Sequence, residues 1–218
     1  MPTSAEGSAP RQASKRRTRT RQRILDAAFE TFAEAGFGNS TVEQVCERAG
    51  FTRGAFYSNF VSLEELFLAM WEQRSAQMLA NVKAILDTDC PTVIGDTRQT
   101  VARSLAAIPL DDKWFRISSE FTAHALRRPT LQPIIVAHEQ AIMTTMMLVV
   151  EKLINRVGRA VTDRDGLGRA LAAVHDGTSL QILMDPSNPA IHQHRIDLFA
   201  HVLVAYTHVT SDTGGTDV

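Results

Sequence analysis

Apolar positions in the first third of the chain recur at helical spacing and stop at glycines. Ile24, Ala28 and Phe32, with Leu25 and Phe29 beside them, form one stripe, and Gly36 or Gly38 closes it, which predicts a first helix. Ser40 with Glu43 three positions on has the spacing of a capping box. It opens a second helix on which Val42, Val45, Cys46 and Ala49 share a face, while Glu43, Gln44, Glu47 and Arg48 turn to water. Gly50 ends that helix, because a sharp stop favours a left-handed residue just past the last turn. Phe51 fills the corner, Thr52 starts a third helix, and Phe56 and Phe60, four apart, share its buried side. Ser62 with Glu65 repeats the capping-box spacing and opens a long fourth helix, Ser62 to Leu86, through Leu66, Phe67, Met70, Trp71, Met78 and Ile85.

After a break from Asp87 to Pro91, helical patterns resume at Thr92–Ile108, Asp112–Arg127, Thr130–Val157, Asp163–Met184 and Ala190–Val209. Pro109, Pro129, Gly158 and Pro186 separate them, no segment reads as a strand, and no repeat appears. The expected fold is all-α, with an N-terminal three-helix helix-turn-helix domain and a larger C-terminal helical domain. The expected boundaries are a disordered basic arm over 1–17, the helix-turn-helix over 18–62, the helical domain over 63–210 and a polar tail over 211–218.

Charge sharpens this picture only through its distribution. The 218 residues carry a net −1, yet residues 1–25 hold seven Lys/Arg against Glu6 alone. A basic arm beside a helix-turn-helix, on an otherwise acidic body, confines the electrostatic footprint of a nucleic-acid binder to one end. Lys15, Arg16, Arg17, Arg19 and Arg21 are therefore expected on phosphates or in a minor groove. The outward side of the third helix offers Thr52, Arg53, Gly54, Tyr57 and Asn59, with donors, room for close approach and no acid. Arg53 is assigned to base edges or an adjacent phosphate, Thr52 and Gly54 to close approach, and Thr41, Tyr57 and Asn59 to phosphates.

The run from Ile24 to Phe67 resembles the DNA-binding domain of the tetracycline-repressor (TetR) family. The resemblance rests on I-L-D-A-A-F-E-T-F-A-E-A-G-F from Ile24, S-T-V-E-Q-V, A-G-F-T-R-G-A-F-Y-S-N-F and S-L-E-E-L-F from Ser62, in that order. It covers about a fifth of the chain, a short stretch for a family whose members diverge beyond their reading domain. One departure is Leu63, where the family commonly places a backbone-contacting lysine. The resemblance implies a ligand-binding and dimerisation role for the C-terminal domain. Trp114, Phe115, Phe121 and His124, with Met143, Met146 and Met147, either fill a core or line a deformable apolar cavity. The section A-I-M-T-T-M-M-L-V-V between Glu139 and Glu151 is apolar all round and is expected to be surrounded by other helices. In relatives the last two helices pack against their copy, which makes Leu180, Leu183, Phe199, Val202 and Leu203 candidate dimer contacts.

Other chemistry is poorly supported. His194, His201 and His208 recur every seven residues without the i,i+4 pairing or Cys/Asp partners of a metal site. His175-Asp176 and His138-Glu139 are adjacent and so point apart on a helix, no nucleophile signature stands with them, and no nucleotide-binding Gly loop is present. No metal, no cofactor and no enzymatic activity are therefore expected. Cys46 and Cys90 are too few for a disulfide framework, and Cys46 reads as a small packed hydrophobe. No N-terminal segment resembles a signal peptide, and the longest strongly apolar uncharged run, Ala141 to Val150, is half a bilayer crossing, so a cytoplasmic protein without membrane contact is expected. The function expected is that of a homodimeric repressor released from a palindromic double-stranded DNA operator by a small apolar or amphipathic effector. The alternative is a ligand-independent activator or nucleoid-type dimer.

Overall fold

The computed structural model describes residues 9–87, 96–106 and 110–210. Helix α1 spans Ala9–Ala35 and runs into a 3-10 turn, Phe37–Asn39. There follow α2 (Val42–Ala49), α3 (Arg53–Tyr57), α4 (Leu63–Asp87), α5 (Thr97–Ala106), α6 (Asp112–Leu126) and α7 (Gln132–Arg156). Strand β1 (Arg159–Val161), α8 (Arg164–Met184), α9 (Pro189–Ala205) and strand β2 (Thr207–Val209) complete the described chain. The expected break as far as Pro91, Cys90, Pro109 and the tail 211–218 lie outside the described residues, as does the side chain of Ile85.

Residues 9–17, expected as part of a disordered arm, are instead the first turns of α1. Ala, Arg, Lys and Gln at these positions are strong helix formers, and Pro10 falls in the first turn, where its missing N–H has no helical partner to lose. The chain also divides elsewhere than at residue 62. One unit comprises Met1–Arg74 with Lys113–Ile135, the other Ser75–Asp112 with Val136–Val218.

The first unit is built on phenylalanines. Phe32 from α1, Phe56 from α3, Phe60 just beyond it, Phe67 from α4 and Phe121 from α6 are all fully buried. The Phe67 and Phe121 rings stack at 3.7 Å between centroids, and Phe37 meets Phe121 edge-on at 4.9 Å, a geometry aromatic quadrupoles favour. Polar contacts fix α6 in this unit. The Glu120 carboxylate accepts the Phe37 backbone N–H at 2.7 Å, and Glu64 takes Arg128 at 2.9 Å and His124 at 3.4 Å. Burial alone would raise the Glu64 carboxyl. Hydrogen bonds from its own backbone N–H, Ser62 and His124, together with the Arg128 charge, overcome that and hold it below the usual carboxylate range.

The second unit gathers Met147 and Ile154 of α7 with Leu167 and Leu171 of α8, and Phe199, Val202 and Leu203 of α9 pack against them. At Gly168 a Cβ would lie 2.9 Å from the Met143 sulfur, so a larger residue there would displace the Met143 side chain that packs α7 against α8. Two expectations are corrected here. A two-stranded antiparallel ribbon is present, with Arg159 opposite Val209 and Val161 opposite Thr207. It is too short for alternation to announce it, and Arg159 ties it down by donating to the Thr207 hydroxyl at 2.6 Å. The apolar section of α7 is not surrounded either. Met147 is its one fully buried side chain and Leu148 is 54% exposed. An 18-residue window of α7 reaches a mean hydropathy of 1.4, long and apolar enough for a membrane span by length and composition alone, a test that the core helix of a soluble protein also passes.

Candidate nucleic-acid interface

Helix α2 begins one residue later than the Ser40–Glu43 spacing predicts. Thr41 is the cap, extended at φ −124°, and its hydroxyl accepts the Gln44 N–H at 3.2 Å while the Gln44 side chain accepts the Thr41 N–H at 2.8 Å. Ser40 is buried and its hydroxyl donates to the Gly36 carbonyl at 2.7 Å, which turns the side chain back toward the end of α1 and leaves the cap to Thr41. The stop falls at Gly50, whose φ of 67° and ψ of 39° are left-handed. Phe51 then donates its N–H back to the Cys46 carbonyl at 3.0 Å, and Thr52 caps α3 by accepting the Ala55 N–H at 3.3 Å. The capping box at the start of α4 forms as a wider loop. Glu65 donates its N–H to the Ser62 hydroxyl, while its carboxylate reaches the Val61 N–H rather than that of Ser62.

This frame orients α3. Phe56 and Phe60 hold it from inside, leaving Thr52, Arg53, Gly54 and Tyr57 exposed on the same short element. Asn59, expected at a phosphate, is placed otherwise. Its Nδ2 donates to the Ala55 carbonyl at 2.8 Å and its Oδ1 is buried, so it ties off the end of α3. Nor is the whole surface free of acid. Glu43, on the first turn of α2, lies 3.1 Å from the Arg53 guanidinium. Tyr57 first, and Glu43 second, hold that guanidinium still more firmly protonated than usual. The sequence shows no acid within α3, but only the turn between α2 and α3 brings Glu43 to it. Burial and then Glu43 push the Cys46 thiol up, which suits the packed, unreactive role expected of it.

The basic residues of α1 divide into two groups. Lys15, Arg16, Arg17 and Arg19 are exposed along the helix. Arg21 lies over the Phe60 ring at 4.9 Å, and Arg23 lies over Phe51 at 4.6 Å while its Nη2 donates to the Ala49 carbonyl at 2.8 Å. Arg23 thus satisfies the C-terminal end of α2, and both arginines brace the turn as well as adding positive charge. Leu63, standing where a lysine is common, is half-buried and packs against the phenylalanine core.

The seven residues expected around a cavity do not form one group. Phe121 belongs to the core of the first unit, against which Trp114 packs, and His124 meets the Phe37 ring there at 5.0 Å. Phe115 lies on the same helix, half-buried. Met143 and Met147 belong to the core of the second unit, with Met146 partly exposed on α7. Hydrophobicity and order in the chain could not separate them, because α6 returns to the first unit after the chain has left it. The five candidate dimer residues divide as well. Leu180 is 50% exposed and Leu183 half-buried, whereas Phe199, Val202 and Leu203 face their own core. Met184 and Val204, not singled out from sequence, are 78% and 51% exposed. His194 and His201 lie on α9 but His208 is in β2, so the three share no helix, and among the described residues no cluster could hold a metal ion.

Residues 24–70 match the family model described as bacterial regulatory proteins, tetR family, and residues 95–205 match that of the BetI-type transcriptional repressor, C-terminal. The chain is similar to the HTH-type transcriptional regulator SrpR of Pseudomonas putida, at 44% identity over 55 residues, which are 25% of this chain and 26% of that protein. That match spans well under two-thirds of the relative. Among solved structures, a TetR-family transcriptional regulator from Mesorhizobium loti superposes with a TM-score of 0.67 at 19% identity, covering 89% of this chain and 99% of that one. A transcriptional regulator from Saccharomonospora viridis in complex with choline does so with a TM-score of 0.62 at 16% identity, covering 88% and 99%. At these identities the two structures speak for the fold.

Proposed function

Because the chain belongs to the TetR family of bacterial regulatory proteins, we propose that it is a homodimeric transcriptional repressor that holds a nearly palindromic operator until a small apolar or amphipathic ligand binds. The observation that carries this reading is α3 itself, a short helix held from inside by Phe56 and Phe60 and offering Thr52, Arg53, Gly54 and Tyr57 outward. Two copies would enter successive major grooves about 34 Å apart, with Thr41 and the exposed cations of α1 on phosphates. Dimerisation is supported by Leu180, Met184 and Val204, large apolar side chains at least half exposed on α8 and α9. The ligand side is supported by Met143, Met146 and Met147 of α7, flexible polarisable side chains in and beside the core of the second unit that can repack around varied apolar shapes.

Release needs only differential affinity. Weakening operator binding ~100-fold takes about 2.7 kcal/mol of coupling between the ligand and DNA sites. At ~25 cal/mol per Å², that corresponds to roughly 110 Å² more apolar ligand surface buried in the form that cannot bind DNA. The test is selection of bound genomic fragments, then gel shift of the selected fragment with and without apolar cationic and fatty-acid probes. Dimer-sized particles that choose a near-palindrome and release it with a probe are expected. A strictly monomeric protein, or one indifferent to DNA sequence, would sink the reading.

A further inference from the structure

Arg53, the cation exposed on α3, is already engaged in the free protein. Glu43 lies 3.1 Å from it, and both side chains are more than half exposed, at 57% and 63%. Glu43 also occupies the first turn of α2, where a carboxylate is favoured by the helix dipole and would repel a phosphate approaching the same amides. We infer that Glu43 sets the sequence discrimination of the reading helix, by holding Arg53 in an internal pair that a guanine edge displaces and an isolated phosphate does not. This rests on the DNA-binding reading above and adds to it a residue that acts against the wrong sequences.

Exposed ion pairs are weak in water, so the Glu43–Arg53 pair opens readily when a better partner arrives. Guanine presents O6 and N7 in the spacing of a guanidinium fork, and the bidentate contact replaces the partner that Glu43 supplied. A phosphate on random DNA can also take the guanidinium fork, but only by drawing Glu43, paired to Arg53, towards the same anionic backbone. Arg53 then stays with Glu43, and the reading helix contributes little to binding where the base is wrong. Specificity arises from penalising the competitor as much as from rewarding the target.

Glu43→Gln keeps the shape of the side chain and removes its charge at an exposed position. It is expected to lower the melting temperature only slightly, through the lost helix-dipole contribution, and to free Arg53 for phosphates. On random-sequence duplex the slope of log K against log salt should steepen by about 0.9 for each reading helix engaged, an affinity gain of about eightfold per helix at ~0.1 M relative to 1 M salt. Affinity for the selected operator should change less than twofold, so discrimination falls by the factor gained on random DNA. In an Arg53→Ala background the same Glu43→Gln change should have no such effect.

Unchanged discrimination would overturn the inference. So would a fall in discrimination that comes from weakened operator binding, because Glu43 would then be a support for Arg53 rather than its competitor. An equal gain in the Arg53→Ala background would also overturn it, since the carboxylate would be repelling DNA on its own. A wild-type protein with no preferred sequence would remove the reading and the inference together, whereas a selective wild type with an indifferent Glu43→Gln removes the inference alone.

Discussion

Arg195 of α9 donates through Nη2 to Nδ1 of His175 on α8, at 2.9 Å. Arg195 is 5% exposed, and its Nη1 also donates to the hydroxyls of Thr178 at 2.7 Å and Ser179 at 3.0 Å. Its hydrogen-bonding partners here are neutral acceptors, while the Asp176 carboxylate acts on it from further away. Desolvation pulls Arg195 below its usual value, with Asp176 opposing. Because Nδ1 accepts, His175 must be neutral with its proton on Nε2. Desolvation, then the Arg195 charge, pull the imidazole down to about 4.

That arrangement makes the second unit sensitive to acid. Between about pH 6.5 and pH 4 the unfolded chain binds a proton at His175 that the folded chain refuses, so stability falls as pH falls, by at most about 3 kcal/mol. Asp176 and Glu139 act the other way. Desolvation pushes both carboxyls up, with Asp176 adding to the rise at Glu139, so they favour the folded state as they protonate. His175→Gln keeps an acceptor for Arg195 and removes the titration. Urea unfolding at pH 7 and pH 4.5 should show a smaller loss of stability in His175→Gln than in the wild type. Equal losses would mean that His175 is not the group responsible.

Phe121→Ala tests where α6 belongs. The ring is fully buried between Phe37 and Phe67, so its removal should cost ~3–5 kcal/mol. Glu120→Ala, which takes away the acceptor of the Phe37 N–H, should cost about 1–2 kcal/mol. Both should lower DNA affinity although neither residue lies on α2 or α3, because the 3-10 turn they hold leads directly into α2. Denaturant melts and gel shifts on the same preparations check this. A Phe121→Ala protein of wild-type stability would contradict the buried stack.

The parts legible in the sequence were those fixed by local rules. Gly50 needs a left-handed backbone, Thr52 caps the helix that begins at Arg53, and the spacing of Phe56 and Phe60 decides which side of α3 is buried. Even there the cap of α2 shifted from Ser40 to Thr41, because the Ser40 hydroxyl turns back to the Gly36 carbonyl, a choice that residue types and spacing do not announce. Long-range partners were out of reach. Nothing in the order of residues shows that Phe121 returns to stack on Phe67, that Arg195 reaches His175, or that Glu43 closes on Arg53. The ribbon of β1 and β2 was missed for the same reason, since three residues a side carry no period.

Exposure on α8 and α9 separates the proposed dimer face from the core. Leu180 and Met184 are four apart on one side of α8 and are 50% and 78% exposed, whereas Phe199 packs against Met147 and its neighbours. Leu180→Glu with Met184→Glu should therefore yield folded monomers in sedimentation velocity. DNA affinity should drop by at least about 100-fold, since a monomer cannot link the binding of two half-sites. Phe199→Ala should instead lower the melting temperature. If the double glutamate variant still sediments as a dimer, the contact lies on another face.

Arg53→Ala separates reading from mere attraction. Removing a guanidinium that recognises a base edge should cost ~1–3 kcal/mol on the selected operator and relax preference at one base pair in each half-site. Replacing Arg16 or Arg17 by Ala should instead weaken binding to all duplexes alike and reduce the salt slope by about 0.9 for each phosphate no longer neutralised. The contrast comes from placement. Arg53 stands on the element anchored by Phe56, whereas Arg16 and Arg17 are exposed on the early turns of α1. Fragment selection repeated with each variant reads both quantities at once. An Arg53→Ala protein that selects the same bases with the same stringency would show that sequence is read by other side chains.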